Sequence, residues 1–284
     1  MVTKRDAKGT TAATKSSSCS DPINNTRLKC FLVLAGVNLL RPFRPWWGPV
    51  LFLTPNLCVK IGTYNDLSEA STMQFIRKNT SIPVPKVHCA CRRKDKTYIV
   101  MQRISGMPAV TCWQRLLEES KTKLLEQLRE MIDEMRRIPA VDGKISNVDG
   151  ASFWDCRLPS SIERFGPFEN TQDFHTFLCN SLEKAPPGHP DVDEMIELQR
   201  REWGRPVFTH GDFSSLNIII RRDRIVGLVD WETAGWYPPY WEYTSACQVN
   251  FRNTFWADYI DGFLKPWPEA LKMEKTRQKW WGVI

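Results

Sequence analysis

Apolar residues change their rhythm along the chain. From Val50 they come in short runs, "VLFLT" and "LCVKI", separated by the turn dipeptide "PN", which predicts a β-hairpin. "DLSEASTMQFIRKN" follows, with Leu67, Ala70, Met73 and Ile76 spaced to share one face of a short helix. Two prolines stiffen "IPVPKV" into an extended connector. "HCACRR" and "TYIVMQRI", divided by a polar turn and closed by Gly106, predict a second hairpin. Past Pro108 the spacing becomes helical. Trp113, Leu116, Leu117, Leu124, Leu125, Leu128, Met131, Met135 and Ile138 predict two helices or one bent one. "TQDFHTFLCNSLEKA" and "DVDEMIELQRREW" predict two more. Short strands return at "PVFT", "NIII" and "RIVGLVD", before aromatic-rich helices run to the end. The fold class expected is therefore α+β. A small β-rich lobe over 27–105 joins a larger, mainly helical lobe over 106–284 through a hinge near Gln102–Gly106, and the cleft between them suits a ligand. Residues 1–26 are polar and aperiodic, and are expected to be disordered.

Composition adds little, but the distribution of charge adds more. Of the formal charge of +7, residues 1–49 carry +6: eight Lys/Arg against Asp6 and Asp21. The rest of the chain holds 31 basic and 30 acidic residues, so the basic character belongs to one end and argues against a nucleic-acid partner. Nine cysteines are scattered, and Cys89 and Cys91 lack the two-residue gap of a zinc knuckle. Reduced thiols and a cytoplasmic location are expected. The run "CFLVLAGVNLL", Cys30–Leu40, is too short to span a bilayer, which needs roughly twenty residues. It is read as a buried segment, and no membrane partner is expected.

The stretch "VFTHGDFSSLNIIIRRDRIVGLVDWETAGW" carries the candidate chemistry. Brief strands flank "HGDFSSL", so Asp212 and Asn217 fall just outside strand ends, and Asp230 falls at the end of the returning strand. Taken singly, the three read as a turn residue, a loop cap and a strand-end group. Taken together they suit phosphoryl transfer. A carboxylate, Asp212, can orient a hydroxyl nucleophile and take its proton. An amide oxygen and a second carboxylate, Asn217 and Asp230, are hard ligands suited to Mg²⁺.

The pattern H-G-D-x-x-x-x-N followed by D-W-E resembles the aminoglycoside phosphotransferase family of small-molecule kinases, with "VDWETAGWYPPYWEY" similar to its fungal-type members. "TSIPVPKV" and "YIVMQRISG" are further matching phrases, and the resemblance runs from about Leu39 to near Asp261. It implies a protein-kinase-like two-lobe fold, ATP and Mg²⁺ as cofactors, and a small-molecule hydroxyl as acceptor, in a monomer or weak dimer. It also implies that Lys60 in "CVKIG" grips the nucleotide phosphates, with Glu69 in "SEAST" holding the lysine. Gln102 and Ile104 of the hinge are the implied nucleotide contacts. From the residues alone, Lys60 reads equally as a solvated strand lysine, and Glu69 as a capping-box partner of Asp66. His210 is read as a brace for the loop rather than a base. Trp241 and Tyr243 are expected in the core, and Glu242 as a buried partner of the catalytic loop.

Two departures stand out. No G-x-G-x-x-G is present, since Gly36 and Gly48 are the only glycines near the expected nucleotide loop, and the lobe's first strand is not evident. A catalytically silent binding protein therefore remains an alternative to a kinase. Gly211 stands where protein kinases carry an arginine, and no D-F-G/A-P-E segment occurs, which argues against a protein kinase. Glu232, Asp258 and Asp261 would suit a cationic acceptor or simply face solvent.

Overall fold

Thr26 opens the first helix: its Oγ1 accepts from the Lys29 N–H at 3.2 Å and caps α1, Arg27–Leu40. The computed structural model describes residues 20–62, 67–140, 142–155, 164–249 and 253–282. After α1 come β1 (Trp46–Trp47), β2 (Val50–Thr54), β3 (Leu57–Gly62), α2 (Ser68–Asn79), β4 (Val87–Arg93) and β5 (Lys96–Gln102). The strands form one antiparallel sheet in the order β1-β2-β3-β5-β4. Both predicted hairpins are present, and Leu67, Ala70, Met73 and Ile76 are all buried. The first strand is β1, a two-residue ladder whose turn into β2 uses Gly48 at φ 54°.

Two expectations at this end are corrected. Cys30–Leu40 is helical, but within α1 only Cys30 and Val37 are buried, whereas Leu28, Phe31, Leu32 and Leu39 stand in solvent. The sheet can cover only one side of a helix that is apolar on two. Residues 20–26, taken as the end of a disordered tail, are ordered. Ile23 pairs with Ala90 as an isolated bridge, and buried Ser20 donates its hydroxyl to Asp149. Residues 1–19 lie outside the described residues, as does Asp66, the other half of the capping-box alternative for Glu69.

The larger lobe begins with β6 (Met107–Pro108), α3 (Ala109–Cys112), a 3-10 turn at Trp113–Arg115 and α4 (Glu118–Arg136). The apolar stretch predicted as two helices or one bent one is two, broken where Leu116 and Leu117 turn extended. Glu118 and Glu119 then place acid at the new N-terminus, where the helix dipole favours it. α5 (Thr171–Leu178) and α6 (Pro190–Gln199) are shorter than their apolar runs suggest; left-handed Asn180 and Ser181 follow α5. Next come β7 (Val207–Thr209), β8 (Ile218–Arg221), β9 (Arg224–Leu228), β10 (Gly235–Tyr237) and α7 (Trp241–Ala246). A 3-10 segment, Thr254–Gly262, leads to α8, Pro268–Trp281. β6-β8-β9 and β10-β7 form two small antiparallel sheets.

One core runs through both lobes, joining Met73 and Ile76 of α2 to Leu128, Phe208, Phe213 and Trp231. That continuity ties the helix carrying Glu69 to the loops carrying the aspartates. A second core, with Phe174, Met195, Tyr237, Tyr240 and Trp241, lies within the helical lobe. At the hinge, a Cβ on Gly227 would stand 2.9 Å from Ile104 Cγ2, so the bare backbone of β9 makes room for the hinge side chain.

Candidate active site

Lys60 is on β3 opposite Ile99 of β5, and only 5% of it is exposed. A buried ammonium needs charge partners, and three carboxylates from two parts of the chain supply them. Its Nζ lies 2.9 Å from Glu69 Oε2 on α2, 2.6 Å from Asp230 Oδ1 and 2.9 Å from Glu232 Oε2 beyond β9. The Asp230 and Glu232 contacts are hydrogen bonds. The Glu69 contact is an ion pair by distance, its Oε2 making no bond of hydrogen-bonding geometry, so there the attraction is Coulombic.

Burial alone would lower the Lys60 pKa, but Glu69, Asp230 and Glu232 together hold it well above the ordinary lysine value. The lysine is charged at any physiological pH. Burial drives Glu69 up to about 7, against the pull of Lys60 and with further repulsion from Asp230 and Glu232. Glu232 is raised by burial and by Asp230, again opposed by Lys60. Three carboxylates thus share one ammonium, and the surplus is negative.

The surplus makes the cluster suited to a divalent cation. Oxygens of Glu69, Asp230 and Glu232 lie within 4.8 Å of one another, a hard donor set of the kind Mg²⁺ prefers. Asp230 has φ 66°, a left-handed conformation uncommon outside glycine that costs on the order of 1–3 kcal/mol. It turns the chain off β9 towards the β3 lysine.

The loop between β7 and β8 carries the other predicted residues. Asn217 donates Nδ2–H to Asp212 Oδ2 at 2.8 Å and to the Asp212 carbonyl at 3.0 Å. Its own carbonyl accepts from the Val229 N–H at 3.0 Å, one residue before Asp230. Asp212, Asn217 and Asp230 therefore converge, and the Asp212 charge is among those that raise Glu232.

This loop is held from behind. Buried Glu242 of α7 accepts from the His210 N–H at 2.6 Å and the Gly211 N–H at 2.9 Å. Glu242 thus holds the β7–β8 loop through backbone amides. Gly211 has φ 83°, and a Cβ there would meet Thr233 Oγ1 at 2.8 Å, so a larger residue would displace the Thr233 side chain that bonds the His210 carbonyl. His210 is fully buried between Phe213 and Trp231. Its Nε2 meets the Val229 carbonyl at 3.1 Å and its Nδ1 the Asp212 N–H at 3.2 Å, which assigns the proton to Nε2. Both nitrogens are engaged with backbone, as a brace requires. Trp241 and Tyr243 are buried.

Gln102 and Ile104 stand apart from this cluster. The register opposes Ile99 to Lys60 and Gln102 to Leu57, so Gln102 lies about 10 Å along the strand from the lysine. Gln102 is exposed; it donates its N–H to Lys86 O at 2.9 Å, and its carbonyl accepts from the Cys58 thiol at 3.8 Å.

Sequence reasoning did not identify three contributors. Glu232 was left between acceptor site and solvent, although the D-W-E spacing repeats an acid at i+2 after a strand. The buried Asn253 donates to Ser214 Oγ at 3.0 Å and meets Ser215 Oγ, while Trp256 Nε1 donates to Phe213 O at 2.8 Å. Those contacts brace the loop across about forty residues of chain and carry no local signal.

The fold has counterparts among known proteins. Aminoglycoside phosphotransferase APH(2″)-IIa in its streptomycin–ATP complex matches with a TM-score of 0.52 at 15% identity, over 89% of this chain and 87% of that one. ADP-bound APH(2″)-Ib gives 0.53 at 14% identity, over 84% of each chain. An apo thermostable mutant of APH(4)-Ia gives 0.51 at 13%, over 81% and 80%. At such identities the likeness speaks for the fold, a two-lobe kinase-like one. No curated protein matches the sequence. The phosphotransferase enzyme family matches residues 67–273, a span from the start of α2 through the whole β7–β8 loop into α8, and the chain belongs to that family.

Proposed function

We propose that this protein is an ATP- and Mg²⁺-dependent phosphotransferase that phosphorylates a hydroxyl of a small molecule. The observation that carries the reading is the meeting of Lys60, Glu69, Asp230 and Glu232 beside the Asp212–Asn217 pair. ATP with Mg²⁺ supplies the activated phosphoryl group. The chain's residues position it and the acceptor. Lys60 balances phosphate charge, and Glu69 keeps the lysine extended from α2. Asp230 and Asn217 hold the metal, and Glu232 adds charge to the same site. Asp212 accepts the acceptor's hydroxyl proton, with Asn217 fixing the orientation of its carboxylate. Gln102 and Ile104 line the adenine side at the hinge. Residues 27–105 form the nucleotide lobe and 106–284 the acceptor lobe.

The tight turn from Trp47 to Val50, with Gly48 alone in place of a glycine-rich loop, favours one rival: a fold that binds nucleotide without turnover. Thermal unfolding with and without millimolar MgATP, followed by ATP consumption against a panel of hydroxyl-bearing metabolites, separates the readings. A melting shift with turnover on one acceptor is expected, and Lys60→Ala should abolish both. A shift without turnover on any acceptor supports the silent binder. Absence of any shift would sink the nucleotide assignment itself.

A further inference from the structure

Helix α1 has two apolar faces, and the protein covers only one. Val33, Val37 and Leu40 pack on Leu51, Leu53 and Val59 of the sheet. On the opposite side Leu28, Phe31, Leu32 and Leu39 recur at helical spacing and stay 66, 67, 57 and 70% exposed. Shortly after the helix Phe43 (80%) and, in β1, Trp46 (39%) and Trp47 (57%) are exposed as well. Single exposed apolar side chains are ordinary, but a continuous run of them marks a contact surface.

Charge identifies what makes the contact. At about 100° per residue, Arg27 and Lys29 flank the Leu28 stripe on either side. Arg41 lies 5.6 Å over the Trp46 ring, and Arg44 follows. Between Asp21 and Asp66 the chain carries no acidic residue at all. A second copy of this face would bring cation against cation with no carboxylate to pair. Residues 1–19 are polar and hold Lys4, Arg5, Lys8 and Lys15, so they are unsuited to covering an apolar stripe ringed by cations. Aliphatic and aromatic side chains flanked by Lys and Arg, with tryptophans at one end, are the pattern of a helix lying in a membrane interface.

We propose that α1 and the β1–β2 turn form a docking surface for an anionic lipid bilayer. The outer stripe enters the boundary between headgroups and acyl chains, while Arg27, Lys29, Arg41 and Arg44 meet the anionic headgroups. No helix among the described residues is long and apolar enough to cross a membrane, so the contact is peripheral. The expectation of no membrane partner, drawn from the shortness of the apolar run, addressed spanning and not lying on a surface.

The test is sedimentation of the full chain with phosphatidylcholine vesicles containing about one third phosphatidylserine, against phosphatidylcholine alone. Binding to the anionic vesicles is expected, and it should weaken as ionic strength rises. The double variant Leu28→Ser/Phe31→Ser should bind about tenfold more weakly or worse, and Arg27→Glu/Lys29→Glu should lose the preference for anionic lipid. Melting temperatures of both variants should match the parent, since all four side chains are exposed. No binding to anionic vesicles would overturn the proposal, as would equal binding to both vesicle types. Self-association in the ultracentrifuge that Phe31→Ser abolishes, without vesicle binding, would assign the face to a second copy. Salt-sensitive binding of polyglutamate without vesicle binding would assign it to an acidic protein.

Discussion

Glu232 Oε2 sits 2.9 Å from Lys60 Nζ, on the same ammonium that Asp230 holds at 2.6 Å from two residues earlier. Lys60 therefore faces two acids from one turn of chain and a third, Glu69, from α2. The single positive charge cannot balance three negative ones. Burial and Asp230 disfavour ionised Glu232, as burial does Glu69, so the cluster gains nothing from its third charge.

Glu232→Gln keeps an acceptor for Lys60 and removes one charge from the site. In the absence of ligand its melting temperature should hold or rise. Its Mg²⁺ requirement should change: the Mg²⁺ concentration that gives half of the ATP-induced melting shift should increase about tenfold, the scale of residues that tune a metal site from beside it. A midpoint equal to the parent's would remove Glu232 from the metal's charge balance and leave it as a partner of Lys60 alone.

The N-terminal segment divides at Ser20. Residues 1–19 are polar and aperiodic, and deleting them should leave the melting temperature unchanged. Deleting 1–26 also removes the Ser20–Asp149 hydrogen bond, the Ile23–Ala90 bridge and the Thr26 cap of α1. The cap alone is worth about 1 kcal/mol, so the longer deletion should melt measurably lower. Equal melting of the two truncations would show that these contacts add nothing to stability.

How much was legible depended on whether the signal was local. Asp212, Asn217 and Asp230 could be seen to converge because the strands between them are short and the turn "RRD" is tight. Lys60 and Glu69 required a resemblance, because a lysine in a strand and a glutamate in a first helical turn each have an ordinary structural reading. Ser20 and Ile23 were misread because their partners, Asp149 and Ala90, lie 129 and 67 residues away and leave no trace in periodicity. "CFLVLAGVNLL" was misread for a different reason. A helix apolar all round is normally buried, and sequence cannot show that the sheet beneath α1 covers only one side.

Burial sets an acid limit on stability through His175, which is 1% exposed. Its Nδ1 meets Gln199 O at 2.7 Å and its Nε2 meets the Tyr240 hydroxyl at 2.6 Å. Burial pulls its pKa from 6.5 down to about 4, opposed less strongly by the Gln199 carbonyl. In the unfolded chain the ring titrates near 6.5, so between that pH and about 4 the unfolded state holds a proton that the folded state lacks. Stability from this group is thus complete above the unfolded pKa and is lost as pH falls through the folded one. The loss amounts to on the order of 3 kcal/mol at the acid end. His175→Gln removes the titration, so its melting temperature should fall less than the parent's between pH 7 and pH 5 (roughly the upper part of that window). Parallel pH profiles would mean that His175 is not what destabilises the fold in acid.

Asp212 and Asn217 are bonded to each other at 2.8 Å, yet their substitutions should have different effects. Asp212→Asn preserves the shape of the side chain and removes the base. MgATP should still raise the melting temperature, while turnover on an identified acceptor should fall by about 10²–10⁴, equivalent to roughly 3–5 kcal/mol of barrier. Asn217→Ala removes both the donor that orients Asp212 and the amide oxygen assigned to the metal, so its Mg²⁺ dependence should shift as well as its rate. If the pair were only a turn and a cap, both substitutions would lower stability and leave the MgATP response of the folded protein as it was. Melting curves and Mg²⁺ titrations distinguish these outcomes before any acceptor is known. Once one is known, full activity in Asp212→Asn would show that another group takes the proton, and the mechanism assigned to this loop would be wrong.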